Sequence, residues 1–327
     1  MCIRDSIVGG DDFIEKIKGG EMNFEKLICT PSMMIKLSIK LEMIMKALVL
    51  ESKGAPFVYK DVKDPVLNEN EAVAKIIACG SGLTIQHVRA GRIKVDYPRI
   101  IGHEITAVIE EVGKNVTNVS VGDAVTAYFY LTCGYCKWCN NNRETLCENF
   151  GGYVGREIDG AYAEYMKLPA ENFLKIPEAL DWKKNPAEIA VICDAIATPF
   201  KVIRHASIKT QDTVAIIGAG GGLGIHMIMM AKWANSTVIA VDIASDKFAA
   251  CKQVGADICI NPRDHNDNQA FYDYTKGLGV DVVIDFVSNN ESLNLGFSIL
   301  ARGGRLVTLG GGGPKNAVTA YAGDLLN

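Results

Sequence analysis

Residues 212–242, DTVAIIGAGGGLGIHMIMMAKWANSTVIAVD, restrict the fold more than any other part of the chain. Residues 214–217 form a short apolar run that breaks into Gly218, Gly220, Gly221, Gly222, Leu223 and Gly224. Backbone without Cβ atoms can approach a pyrophosphate closely at such a turn. Residues 225–234 are apolar almost all round, as suits a helix packed behind a sheet, and the free N–H groups at its start face the glycines. A second strand is predicted over 237–241. It ends at Asp242, about 20 residues past the glycines, where a carboxylate can accept both ribose hydroxyls of an adenosine. Strand, phosphate-cradling turn, helix and strand make half of a dinucleotide site. The carboxylate would repel a 2′-phosphate, so NAD is the expected cofactor. The string G-A-G-G-G-L-G is one residue longer than the simplest form and leaves the role of each glycine open. Lys247 either flanks the adenine or is a solvated helix lysine.

A chain of 327 residues has room for about two domains. The net charge of −4 and the absence of a basic stripe argue against a nucleic-acid partner. No apolar run reaches the ~20 residues of a membrane span, and nothing near the start has the order of a secretory signal, so a cytoplasmic protein is expected. Four of the ten cysteines crowd into CGYCKWCNNNRETLC. Cys133, Cys136, Cys139 and Cys147 have the spacing C-x2-C-x2-C-x7-C, which in a reducing compartment reads as metal binding rather than a disulfide framework. Four thiolates close a tetrahedral zinc shell with no open position, so the site is structural and holds a lobe that lacks a core of its own.

Residues 1–44 show only fragmentary periodicity and are expected to form a leader with little fixed structure, either adventitious or a docking extension. Short strands are predicted over 46–51, 71–79, 104–112, 124–127 and 162–168, which makes 45–195 a mostly β domain. A helical stretch after Pro186, through Cys193 and Ile203, leads into a doubly wound α/β domain over 196–327, with later strands at 280–287 and 305–309. His205, His226 and His265 read as structural or exposed.

These marks together resemble the medium-chain dehydrogenase/reductase superfamily, specifically its zinc-containing alcohol dehydrogenases. The likeness runs from Met45 to about Gly313. It rests on the four-cysteine lobe, Gly102-His103-Glu104, the VGxxVxxxxVGDxV stretch over 112–125, the glycine turn and Asp242. The resemblance implies a GroES-like catalytic domain, a Rossmann domain and a cleft between them in which zinc polarises an alcohol or carbonyl oxygen. It places His103 at the histidine ligand, Glu104 beside it, and Asp194 where the third ligand varies. It makes Thr84 and His87 a proton relay. The first ligand is missing: C-x-[ST]-D-x-H reads here Gly82-Leu83-Thr84-Ile85-Gln86-His87, without the thiolate or the acid that orients the histidine. Glu104 is the expected substitute. Cys79 on its strand and Cys193 on its helix would point elsewhere.

The resemblance also implies a small alcohol, possibly a polyol, as substrate and a homo-oligomer in the full-length protein. Relatives run on for ~60 residues past Leu309, so a truncated C-terminus is expected. Two other readings stand beside the dehydrogenase: a metal-independent reductase of conjugated carbonyls, as in the quinone-reductase branch, and a nucleotide-binding sensor without chemistry.

Overall fold

The computed structural model describes residues 44–264 and 268–309. The expected leader, His265 and the expected truncation therefore lie outside the described residues, apart from Ile44. The first half carries β1 (Ile44–Leu50), β2 (Phe57–Lys63), β3 (Glu71–Cys79), α1 (Leu83–Arg89), β4 (Arg99–Ile100), β5 (Ile105–Val112) and β6 (Ala124–Ala127). It continues with β7 (Tyr130–Leu131), β8 (Gly152–Tyr153), β9 (Tyr165–Pro169) and β10 (Phe173–Lys175). Two sheets dominate, ordered β2-β1-β4 and β10-β6-β5-β3-β9, and every pairing in them is antiparallel. Ala72, Ala74, Ile105, Ala107, Ile109, Val125 and Phe173 alternate inward to form one core. Burying such side chains contributes about 1.5–3 kcal/mol for each large one.

The second half carries α2 (Pro186–Ala190), α3 (Ala197–His205), β11 (Thr213–Ile217), α4 (Gly222–Trp233), β12 (Thr237–Val241), α5 (Phe248–Gln253) and β13 (Ile258–Ile260). It ends with α6 (Gln269–Tyr274), β14 (Val280–Asp285), α7 (Asn290–Ser298) and β15 (Leu300–Thr308). The five strands are parallel in the order β13-β12-β11-β14-β15. Counted within this sheet the order is 3-2-1-4-5, a doubly wound sheet whose direction of growth reverses between β11 and β14. Its strands are buried on both faces, which is why TVAII and TVIAV read as unbroken apolar runs.

The expected strands over 71–79, 124–127 and 237–241 coincide with β3, β6 and β12. Elsewhere the structure corrects the boundaries. The strand expected over 162–168 begins at Tyr165, because the backbone of Tyr162 turns away to bond Leu48 and Ile101. The strand expected over 280–287 stops at Asp285, whose carboxylate accepts the N–H groups of Val287 and Ser288 in a turn. The last strand spans Leu300–Thr308 rather than starting at 305. The helical stretch after Pro186 breaks at Asp194, whose φ of −130° and ψ of −66° lie outside the helical range. That break separates α2, tied to β5 by the Thr106 hydroxyl donating to the Pro186 carbonyl at 2.8 Å, from α3. Val202 and Ile203 of α3, with Ala206 that caps it, belong to the core around the parallel sheet. No helix among the described residues is long and apolar enough to cross a membrane.

Candidate functional site

The glycine turn links β11 to α4, and the structure separates the roles that the sequence leaves open. Gly218 has φ +78°, a left-handed conformation that glycine adopts without strain. A Cβ at Gly224 would lie 2.2 Å from the Gly218 carbonyl oxygen, so this glycine lets α4 pack tightly on the turn. A Cβ at Gly220 would meet the stem of Lys247 at 2.5 Å and Asp242 at 3.1 Å. Lys247 therefore lies over the turn. Gly221 is the N-cap of α4 and Gly222 its first residue, with Leu223 next; a Cβ on Gly222 would meet nothing within 4 Å. The Asp242 carboxylate accepts the N–H of Gly220 at 2.8 Å and that of Ala244 at 3.0 Å, which fixes it beside the turn.

A cavity of about 360 Å³ opens at the C-terminal ends of the parallel strands, lined by Gly218, Asp242, Arg263, Asn289 and Ser292 among others. Ligands of doubly wound sheets bind at this edge. The residues present fit a dinucleotide. Sequence reasoning missed Asn289 and Ser292, although N-x-x-S before α7 is a capping box: Asn289 Oδ1 accepts the Ser292 N–H and Ser292 Oγ accepts that of Asn289.

The expected reaction-centre residues come from three separated segments that meet at Glu104. Gly102, with φ +101°, turns the chain so that His103 and Glu104 enter β5 with both side chains buried. Glu104 Oε1 accepts the N–H of Ala195 at 3.3 Å. A Cβ at Gly80 would lie 2.4 Å from Glu104 Oε2, and one at Gly82 would lie 3.4 Å from it. The carboxylate of Glu104 thus occupies the space beside the residue where the family has its thiolate. On the other side, His103 Nε2 donates to Asp194 Oδ2 at 3.2 Å and Thr198 Oγ1 donates to Asp194 Oδ1 at 2.8 Å. Burial acts to raise the Asp194 carboxyl, but the bonds from His103 and Thr198 outweigh it and hold the group below the usual carboxylate range. Glu104 is pushed up, by burial first and by the Asp194 charge second. The two carboxyls are driven apart, one toward the anion and one toward the acid.

Thr84 and His87 both lie on α1. Gly82 caps this helix, and the spacing i, i+3 puts the two side chains on one face. Phe129 lies against the His103 ring at a tilt of 47°, with centroids 4.7 Å apart. Cys79 ends β3, and Cys193 lies in a 3-10 turn at Val191–Cys193 rather than on a continuing α-helix. The Cys193 Sγ donates to the His103 carbonyl at 3.6 Å, and that of Cys79 to the Gly80 carbonyl at 3.6 Å. Burial pushes Cys79 up to about 12 and Cys193 up to about 11. His205 is exposed at the end of α3, and His226 donates from Nδ1 to the Gly222 carbonyl at 2.7 Å.

One zinc ion bound at about 2.0–2.3 Å requires its ligand atoms to gather closely. Among the described residues, the group of three or more His, Cys, Asp or Glu that does so is Cys133, Cys136, Cys139 and Cys147, with all ligand atoms within 4.8 Å of one another. Cys136 and Cys139 Sγ lie 3.5 Å apart, and Cys133 and Cys139 Sγ 3.9 Å. The backbone N–H of Cys133 donates to Cys147 Sγ at 3.3 Å and that of Cys136 to Cys133 Sγ at 3.4 Å, the bonding expected of a thiolate nest. The lobe fits a structural zinc. Among the described residues, His103 and Asp194 do not form a further such group with Glu104. Its carboxylate leans toward Gly80, Gly82 and Ala195.

Residues 68–178 match the family described as alcohol dehydrogenase GroES-like domain, and residues 222–326 match that described as zinc-binding dehydrogenase. An alcohol dehydrogenase of Geobacillus stearothermophilus is 37% identical over 271 residues, covering 81% of this chain and 77% of the relative. An NAD-dependent alcohol dehydrogenase of Sulfurisphaera tokodaii is 33% identical over 276 residues, covering 81% of this chain and 78% of the relative. The solved alcohol dehydrogenase TADH of Thermus sp. ATN1 superposes with a TM-score of 0.79 at 26% identity, covering 86% of this chain and 82% of that one. The chain belongs to the zinc-containing alcohol dehydrogenase family of the medium-chain dehydrogenase/reductase superfamily. The parallel sheet is its Rossmann half and the antiparallel sheets its GroES-like half.

Proposed function

We propose that the chain is an NAD-dependent oxidoreductase that interconverts a small alcohol and its carbonyl, with the GroES-like half ending near residue 195 and the Rossmann half beginning there. The observation that carries this reading is the junction at Glu104. There the loop before α1, the His103 strand and the Asp194 corner are held together by named contacts, in a chain whose parallel sheet ends in the Asp242 turn. NAD, when bound, takes up or returns the hydride. Gly218 to Gly224 would hold its diphosphate, Asp242 its adenosine ribose, and the stem of Lys247 would cover the turn. Zinc in the four-cysteine lobe would be structural. The Thr84 hydroxyl is assigned to the substrate oxygen, and His87, one turn further along α1, to the path by which the proton leaves. The His103–Asp194 pair orients the polar wall of the site. No step is assigned to a catalytic metal.

Thr84→Val keeps the side-chain shape and removes the hydroxyl. It is expected to lower kcat/KM by about 10²–10⁴-fold while leaving NADH binding, followed by fluorescence, unchanged. Turnover equal to the wild type across an alcohol and aldehyde panel would overturn the assignment. The incomplete shell beside Gly82 favours a second reading, a metal-independent reductase of conjugated carbonyls. Turnover of enones with no turnover of any alcohol would select it.

A further inference from the structure

α1 ends in a Schellman turn. The N–H of Gly91, at φ +68°, bonds the Val88 carbonyl at 2.9 Å, and that of Arg92 bonds the His87 carbonyl at 2.9 Å. This places Arg92 directly over the ring of the residue five positions earlier. A hydrophobic contact commonly joins these two positions in such a turn. Here the Arg92 Nε–H donates to His87 Nδ1 at 2.5 Å. A guanidinium is always protonated and only donates, so Nδ1 must present its lone pair. The ring proton of neutral His87 is then on Nε2, and Nε2 is the nitrogen left to face any other partner.

We infer that Arg92 is a positioning residue for the proposed proton path, holding His87 as the neutral tautomer that carries its proton on Nε2. The inference rests on the reading that places His87 on that path. At rest His87 offers a donor at Nε2 and no acceptor, so the path carries a proton only when the guanidinium moves off: Nδ1 then accepts the incoming proton and Nε2 releases its own to solvent. His87 gains a second proton only when the guanidinium leaves Nδ1, because an Nδ1–H would confront the Arg92 N–H. The other cations nearby are directed elsewhere: Arg89, on the same helix, donates to Gln86 Oε1 at 3.2 Å and to the Ala55 carbonyl at 3.1 Å, and Lys53 lies against Gly91. Burial first, and the Arg92 charge second, lower the proton affinity of His87.

The test is the titration of the His87 ring by nitrogen-detected NMR in the wild type, Arg92→Ala and Arg92→Lys, with the His87 signals identified by their loss in His87→Gln. The wild type is expected to show an unprotonated Nδ1 and a midpoint below the ordinary imidazole value of 6.5. In Arg92→Ala the tautomers are expected to mix, the midpoint to rise toward 6.5, and the acid limb of kcat/KM to move up with it. Arg92→Lys is expected to recover part of the shift, which a purely structural role of Arg92 would not produce. The same tautomer and midpoint in wild type and Arg92→Ala would overturn the inference. Wild-type turnover in His87→Gln would instead remove His87 from the path, and the ring titration would still decide whether Arg92 holds it.

Discussion

Cys136→Ser is expected to release the lobe's zinc and to unfold residues 133–147, lowering the zinc content of the purified chain from one ion to none. Residues 133–147 contribute no side chain to any of the five hydrophobic clusters of the described residues. Their order depends on two short 3-10 turns, on Gly134 and Asn142 at positive φ, and on the convergence of four sulfurs. Structural zinc contributes an apparent ~10–16 kcal/mol in small zinc domains, as much as the whole ~5–15 kcal/mol that keeps a typical domain folded. Removing one thiolate therefore exceeds anything the lobe's other contacts can offset. Metal analysis together with limited proteolysis reads the effect, and a variant that keeps its zinc and resists cleavage within 133–147 would refute it. Gly82→Cys supplies the opposite case. A thiol there would stand beside the Glu104 carboxylate, at the position where the family has its first zinc ligand, and zinc content is expected to rise from one ion per chain toward two.

Asp242→Ser is expected to weaken NADH binding by about 10- to 100-fold and to reverse much of the discrimination against NADPH. Hydrogen bonds to a charged group contribute about 1.5–3 kcal/mol each, and each 1.4 kcal/mol is tenfold in affinity. The carboxylate lies at the end of β12, steadied by the Gly220 and Ala244 N–H groups, so it meets a ribose without reorganisation. A 2′-phosphate would bring two negative charges together at the same point. Dissociation constants of NADH and NADPH for both proteins give the ratio, and a ratio that does not move would remove Asp242 from the cofactor site.

Local signals made much of this fold readable. β12 and the glycine turn were marked because buried parallel strands form unbroken apolar runs, and β3 and β6 because turn residues flank them closely. β2 escaped because the side chains of FVYKDVK are only half-buried or exposed, and β13 because it is three residues long. α1 escaped for a similar reason: seven residues with Ile85 and Val88 as its buried positions carry little periodicity. The cysteine lobe could be read because its four ligands lie within fifteen consecutive residues, where spacing nearly determines geometry. The reaction centre could not be read in the same way. His103, Asp194 and Gly82 are joined only by the tertiary fold, and the approach of the Glu104 carboxylate to the loop before α1 depends on two glycines more than twenty residues upstream. The lock of Arg92 on His87 needed the turn geometry as well, since A-G-R after a helix announces the Schellman turn but not the ring it covers.

Transfer of deuterium tests the central claim most directly. The full chain is incubated with NAD and a panel of primary and secondary alcohols deuterated at the carbinol carbon, and the nicotinamide is analysed by mass spectrometry. The account predicts a reduced cofactor one mass unit heavier with at least one alcohol, and its loss in Thr84→Val with NADH binding intact. NADH binding without label transfer from any alcohol, and without reduction of the matching carbonyls, would contradict it and leave a nucleotide-binding protein that does no chemistry.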